Sequence, residues 1–227
     1  MVRSKILLDL VNDSNSLESV LFRLKIILSD LNNEEINQWL DYEIHGYPDF
    51  EEVPDYRIIT GLPKGTYILG SQFNGIQHTN ANIPINHVPN DIKDNLLNLY
   101  LRDGISGIYS LTDKDAQIGK PIPTEFCYKI SRPGLMILGM NIIYSENQLH
   151  GVLANIKTKL INILLKLEKS FGNLDSLDVL NSTVAASEKQ TIEQFILNII
   201  FDNSIDIGDH NTIKSSDIGH RGKINVN

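Results

Sequence analysis

Cysteine is nearly missing from this sequence: Cys127 is the only one in 227 residues. A lone thiol excludes an intramolecular disulfide framework and a Cys-rich zinc site, and it suits a reducing compartment, so a cytoplasmic location is expected. Long apolar runs are missing as well. None approaches the roughly 18 residues needed to span a bilayer. The stretch from Met1 to Ser16 is apolar too briefly, and lacks the small-residue cleavage site, to read as a signal peptide. Positive charge is scarce, with 20 Lys+Arg against 28 Asp+Glu and a net charge of -8. No overall basic field would draw in a phosphate backbone, so nucleic acid is not an expected partner. The common enzyme signatures are absent too: no P-loop, no GxGxxG after a strand, no GxSxG elbow and no HExxH. The six histidines (45, 78, 87, 150, 210 and 220) are scattered, and no two stand at metal-ligand spacing. Cys127 reads as a buried structural residue rather than a nucleophile. Neither a metal nor a cofactor is expected, and the balance leans away from an enzyme.

What is present is enough for a core. Apolar residues make up 41% and charged ones 21%, a globular composition in which one domain plus a tail, or two small domains, fits the length. Leu17, Val20, Leu21, Leu24, Ile27, Leu28 and Leu31 recur at helical spacing after Asn15 or Ser16 as N-cap. A second helix is predicted from Glu34 to His45, capped by Asn33 and stopped by Gly46-Tyr47-Pro48. From Pro54 to Pro84 the pattern turns to Tyr, Ile and Thr broken by glycines, which predicts strands and turns. Pro89-Asn90 opens a further helical stretch, Ile92 to Leu101. Residues 122–144 read as one or two strands around Arg132-Pro133-Gly134. The longest helix is expected over about 146–170. Leu149, Val152, Leu153, Ile156, Leu160, Ile163, Leu164 and Leu167 form its stripe, and Lys157, Lys159, Lys166 and Lys169 occupy other faces. The fold class is therefore α+β, with a helical N-terminal part, a small central antiparallel sheet and a long closing helix. Residues 173–190, rich in Ser, Asn, Asp and Ala, read as a linker. The expected organisation is a domain over 1–172, the linker, and a β-forming tail over 191–227.

Between Asp30 and Asp55 lie nine acids and no Lys or Arg: Asp30, Glu34, Glu35, Asp41, Glu43, Asp49, Glu51, Glu52 and Asp55. A solvated face explains most such runs. A docking surface for a basic partner, or a metal-dependent hydrolase or nuclease site, would require some of them to converge in space.

Part of the chain resembles a known family. Trp39, Glu43, Gly46, Tyr47 and Pro48, then Pro54, Tyr56, Arg57 and Gly61, are similar to the signature of the AbiTii domain of bacterial abortive-infection proteins. Ile83-Pro84, Val88-Pro89 and the closing helix near Gly151-Val152 extend the likeness over about residues 3–172. The resemblance implies antiphage defence and carries no catalytic residues with it. Read chemically, Trp39, Tyr47 and Tyr56 are packing residues, and Arg57 beside Asp55 and Glu43 is an internal ion pair.

The last 26 residues concentrate the asparagine and isoleucine that run through the chain, 23 and 32 in all. Ile205-Asp206-Ile207-Gly208-Asp209-His210-Asn211-Thr212-Ile213 alternates aliphatic and small polar residues around a Gly and an Asn. Alone, such a strand–arc–strand buries too little to stand in water. Stacked in register on copies of itself, every backbone group pairs at a repeat of about 4.7–4.8 Å, and Asn211 adds an amide ladder. The segment resembles the core of the RIP homotypic interaction motif, with Ile205, Ile207, Gly208, Asn211 and Ile213 in the main positions and Asp206 in place of the commoner Gln. Related amyloid signalling motifs occur at the ends of bacterial defence proteins. A weaker copy follows at an offset of eleven residues, with Ile218, Gly219 and Ile224 matching Ile207, Gly208 and Ile213. The expected partners are further copies of this chain, giving a homo-oligomer, or a defence protein with a matching motif. A closed scaffold of fixed copy number is the alternative. Phe195 to Phe201 is a short apolar segment that could instead insert into membrane after assembly, but it is too short to span as a helix.

Overall fold

The computed structural model of the chain describes residues 3–71, 74–112, 118–180 and 184–201. Three helices open the chain. Helix α1 covers Lys5–Val11, α2 Leu17–Leu28 and α3 Glu34–His45. Ser16 caps α2 by accepting from the Ser19 amide at 3.2 Å, and Asn33 caps α3 by accepting from the Ile36 amide at 3.1 Å. Gly46 ends α3 at φ +104°, a conformation that L side chains rarely adopt.

A 3-10 turn over Asp55–Arg57 leads into β1, Ile58–Thr60. The central sheet is antiparallel in the order β3-β2-β6-β5, with β2 at Leu62–Leu69, β3 at Ile76–Asn82, β5 at Ile118–Ile122 and β6 at Leu135–Tyr144. Alternation along β6, shifted by one residue at an irregularity between Ile137 and Gly139, puts Leu135, Ile137, Met140, Ile142 and Tyr144 in the core. Helix α4, Asn90–Leu97, runs straight into β4, Asn98–Tyr100, which pairs with β1. The helix predicted to reach Leu101 is therefore cut short. Pairing of Ile58, Ile59 and Thr60 with Tyr100, Leu99 and Asn98 claims those backbone groups for a ladder. Helix α5 covers Ile105–Thr112. Helix α6, Thr124–Lys129, interrupts the stretch read as strand: Pro123 stands at its N-cap, and its carbonyl accepts from the amides of Phe126 at 2.9 Å and Cys127 at 3.1 Å, which turns the chain out of β5.

Helix α7, Glu146–Phe171, buries every residue of its predicted stripe. One lysine departs from expectation: Lys159 is buried, not on an outer face. The reason lies after α7. Leu174 and Leu180, within the stretch read as a linker, belong to the core, and α8 at Ala186–Ile200 packs on α7 and α3 through Ile192, Ile196 and Ile200. Residues 191–200, placed in a β-forming tail from sequence, are helical. Their buried isoleucines, Ile192, Ile196 and Ile200, recur every fourth position, which is helix spacing, and a ready apolar surface on α7 receives them. Among the described residues no helix is long and apolar enough to cross a membrane. The fold class is α+β.

Candidate functional site

The strongest concentration of buried polar chemistry is built on the end of α3. Trp39 and Glu43 stand one turn apart on its inner face, and Tyr47 follows just past Gly46. The turn begun by Pro54, whose carbonyl accepts from the Arg57 amide at 2.8 Å, brings Tyr56 and Arg57 against them. Glu43 and Arg57 are both fully buried, and the ion pair read from sequence forms between them. Arg57 Nη2 donates to Glu43 Oε2 at 2.7 Å and Nε to Oε1 at 3.2 Å, the forked geometry that guanidinium and carboxylate share. Asp55 takes no part and is exposed.

The remaining valences are also used. Glu43 Oε1 accepts from the hydroxyls of Tyr47 at 2.8 Å and Tyr56 at 2.6 Å. Trp39 Nε1 donates to the Tyr56 oxygen at 3.0 Å. Arg57 Nη1 donates to the backbone oxygens of Leu101 at 3.0 Å and Asp103 at 2.7 Å. Its guanidinium also lies 4.9 Å from the centre of the Tyr47 ring. Burial opposes a charge on Arg57, but the Glu43 carboxylate outweighs it and holds the guanidinium pKa above its ordinary value. Burial, followed by the Glu43 charge, pushes the Tyr47 and Tyr56 phenols far above their ordinary range. Both therefore stay neutral donors and neither is suited to accept a proton near neutral pH.

The loop that supplies those two carbonyls is held by close backbone contact. A Cβ on Gly104 would lie 2.2 Å from the Ile44 oxygen, and one on Gly46 would lie 2.7 Å from the Arg102 oxygen. The Tyr47 amide donates to that Arg102 oxygen at 2.7 Å. Outside this seam a groove of about 590 Å³ runs between Tyr42, His45, Tyr47 and Arg102. Arg102 is already spent on its walls, donating from Nη1 to the Pro48 oxygen at 2.6 Å and the Glu51 oxygen at 2.8 Å.

On its other side the cluster meets Lys159 of α7. The Lys159 Nζ stands 4.9 Å from the centre of the Tyr56 ring and donates to the backbone oxygen of Ile199, near the end of α8, at 2.5 Å. Sequence reasoning missed this residue, although a signal was there. Val152, Ile156, Lys159 and Ile163 are spaced four, three and four apart, which is core spacing on a helix.

The acidic run does not build a metal site. Of its nine members only Glu43 is buried. Asp41 pairs with Lys25, and Asp49 stands 4.0 Å from Arg102 Nε. Among the described residues no three His, Cys, Asp or Glu side chains meet where they could hold an ion. Cys127 is buried, and burial raises its thiol pKa, which disfavours the reactive thiolate. Of the residues singled out from sequence, Trp39, Glu43, Gly46, Tyr47, Pro54, Tyr56 and Arg57 are brought together. Ile205, Ile207, Gly208, Asn211, Ile213, Ile218, Gly219 and Ile224 lie outside the described residues.

Chemically, the cluster is a closed junction. It ties α3, the 3-10 turn, the 101–104 segment and α7 to one another, and it directs its donors and acceptors inward. No curated protein and no solved structure matches the chain. The family model named AbiTii matches residues 3–193, which takes in the junction, the sheet, α7 and the first half of α8. The chain belongs to the AbiTii family of abortive-infection proteins.

Proposed function

We propose that this protein acts in antiphage abortive infection, and that its C-terminal segment drives ordered β-assembly, with itself or with a matching segment on a partner, to signal or to activate an effector. The observation that carries the second part is the segment Ile205-Asp206-Ile207-Gly208-Asp209-His210-Asn211-Thr212-Ile213, with its weaker copy through Ile218, Gly219 and Ile224. Its aliphatic alternation around Gly208 and Asn211 suits in-register stacking, in which each copy satisfies the backbone of the next. The family membership supports the first part. The buried junction supports a scaffold role for the body, since Glu43 and Arg57 spend their hydrogen-bonding capacity on each other and on neighbouring groups.

The test uses the full chain. Purified protein should raise thioflavin fluorescence with time and give fibre diffraction at about 4.7–4.8 Å. Ile207→Asp and Gly208→Asp should abolish both signals, leave the melting temperature unchanged, and restore phage plating on cells that carry the protein. A wild-type chain that stays monomeric at high concentration, with or without phage-infected lysate, would sink the assembly reading. Unaltered phage plating on cells with and without the wild-type protein would sink the defence role.

A further inference from the structure

Helix α8 is held to the body by its buried isoleucines, with Leu197 and Ile199 packed partly buried against the same core. Ile192, Ile196 and Ile200 form a single row of buried side chains, and the exposed Phe201 follows. Its N-cap, Ala185, supplies no side-chain hydrogen bond. Two outer attachments are weak ones: Lys189 Nζ donates to the Asp30 oxygen at an exposed site, and Lys166 Nζ lies 5.1 Å from the centre of the Phe195 ring. The third attachment differs in kind. Lys159 is buried, and its ammonium donates to the oxygen of Ile199 in the last turn of α8. That oxygen is one of the four that a helix leaves without an internal partner, at the negative end of the helix dipole. A cation supplied from α7 therefore caps the C-terminal end of α8.

The same ammonium faces the Tyr56 ring, and the Tyr56 hydroxyl donates to Glu43. A continuous line of contacts thus runs from Glu43 and Arg57 through Tyr56 and Lys159 to the backbone of α8. We infer that Lys159 is a positioning residue that locks the end of α8 to the Glu43–Arg57 junction and so fixes the point from which residues 202–227 depart. Opening of the lock frees that departure point. The lock stands on its own contacts; its effect on assembly rests on the reading proposed above.

Amide hydrogen exchange on the full chain tests it. In the wild type, the amides of Leu197 to Phe201 should be protected as well as those in the middle of α8, rather than fraying as an unheld last turn does. Lys159→Met keeps the length and bulk of the side chain and removes the donor. Exchange over 197–201 should rise roughly tenfold or more, as loss of a charge-assisted bond implies, while amides in the middle of α7 stay unchanged. Lys159→Arg, which keeps a cation and a donor, should restore most of the protection. A last turn of wild-type α8 that exchanges faster than its middle overturns the lock even if Lys159→Met does not fold, and so does unchanged exchange in a folded Lys159→Met. The same variants are then followed by thioflavin fluorescence. A shorter lag in Lys159→Met than in wild type supports control of the tail by the lock. An unchanged lag with raised exchange overturns that control and leaves the lock standing. A wild type that never assembles overturns the assembly reading alone.

Discussion

Glu43 and Arg57 illustrate what a buried charge requires. Each is fully buried, and each is tolerable only because the other is present with its remaining atoms hydrogen-bonded. Replacing either one alone with methionine strands the other in a medium that solvates it poorly. Glu43→Met and Arg57→Met should each cost about 3–5 kcal/mol in stability by chemical denaturation. The double variant should cost clearly less than the sum, because no lone charge remains, although the Leu101 and Asp103 oxygens still lose their donor. Strictly additive losses would show that the two residues do not act as a pair. From sequence the pair could be foreseen because glutamate, arginine and three aromatic residues stand close along the chain. The carbonyls of Leu101 and Asp103 could not. They lie 44 and 46 residues from Arg57, and only the close approach at Gly46 and Gly104 brings them in.

At the scale of elements, α1 shows how a short helix is kept. It has seven residues, too few for a stable helix in isolation, and Ser4 at its N-cap makes no side-chain cap of its own. The cap comes from elsewhere: Glu168 of α7 accepts from the Ser4 amide at 2.6 Å and Asp175 accepts from the Lys5 amide at 2.7 Å. Burial raises the Glu168 pKa, but the hydrogen bonds from Ser4 and Arg3 outweigh it and leave the pKa below its ordinary value of 4.5. A depressed carboxylate contributes stability that is fully present above the unfolded-state value and is lost as pH falls through the lower folded-state value. Thermal melts should therefore show this contribution intact above about pH 5 and fading below about pH 4.5. Glu168→Gln should cost about 1.5–3 kcal/mol near neutral pH and remove that part of the acid dependence. An identical acid limb in wild type and variant would place the dependence on other carboxylates. Helices α2, α3 and α7 were legible because they carry strong periodic stripes with caps and stops. Helix α8 was not, because Phe195 to Phe201 is a short, mostly aliphatic run that suits a strand as well as a helix, and only the apolar surface of α7 settles the choice.

For the whole molecule, charge and topology divide the chain differently. Residues 1–172 carry 20 acids and 16 bases, and residues 173–227 carry 8 acids and 4 bases, so each part is net -4 although the second is far shorter. Packing draws the line elsewhere, since Leu174, Leu180 and the α8 isoleucines all belong to the core. Assembly through residues 205–213 would bring like charges together, so it should be slow at about 0.01 M salt and faster at about 0.15 M, where the screening length falls from about 30 Å to about 8 Å. Thioflavin lag times across that range check this; a lag independent of salt would remove electrostatic repulsion as the brake. The α+β class could be read from the order of periodicities alone. The place where the body ends could not, because the low aliphatic content of 173–190 hides two leucines with specific places to pack.

The trans-capping of α1 also sets a schedule. Its two acceptors lie 164 and 170 residues further along the chain than the amides they serve. A ribosome adding about 5–20 residues per second takes roughly 10–30 s to cover that distance. For that interval the leading amides of α1 lack the acceptors they have in the folded chain, so α1 reaches its final hydrogen bonding only after α7 and Asp175 have been made.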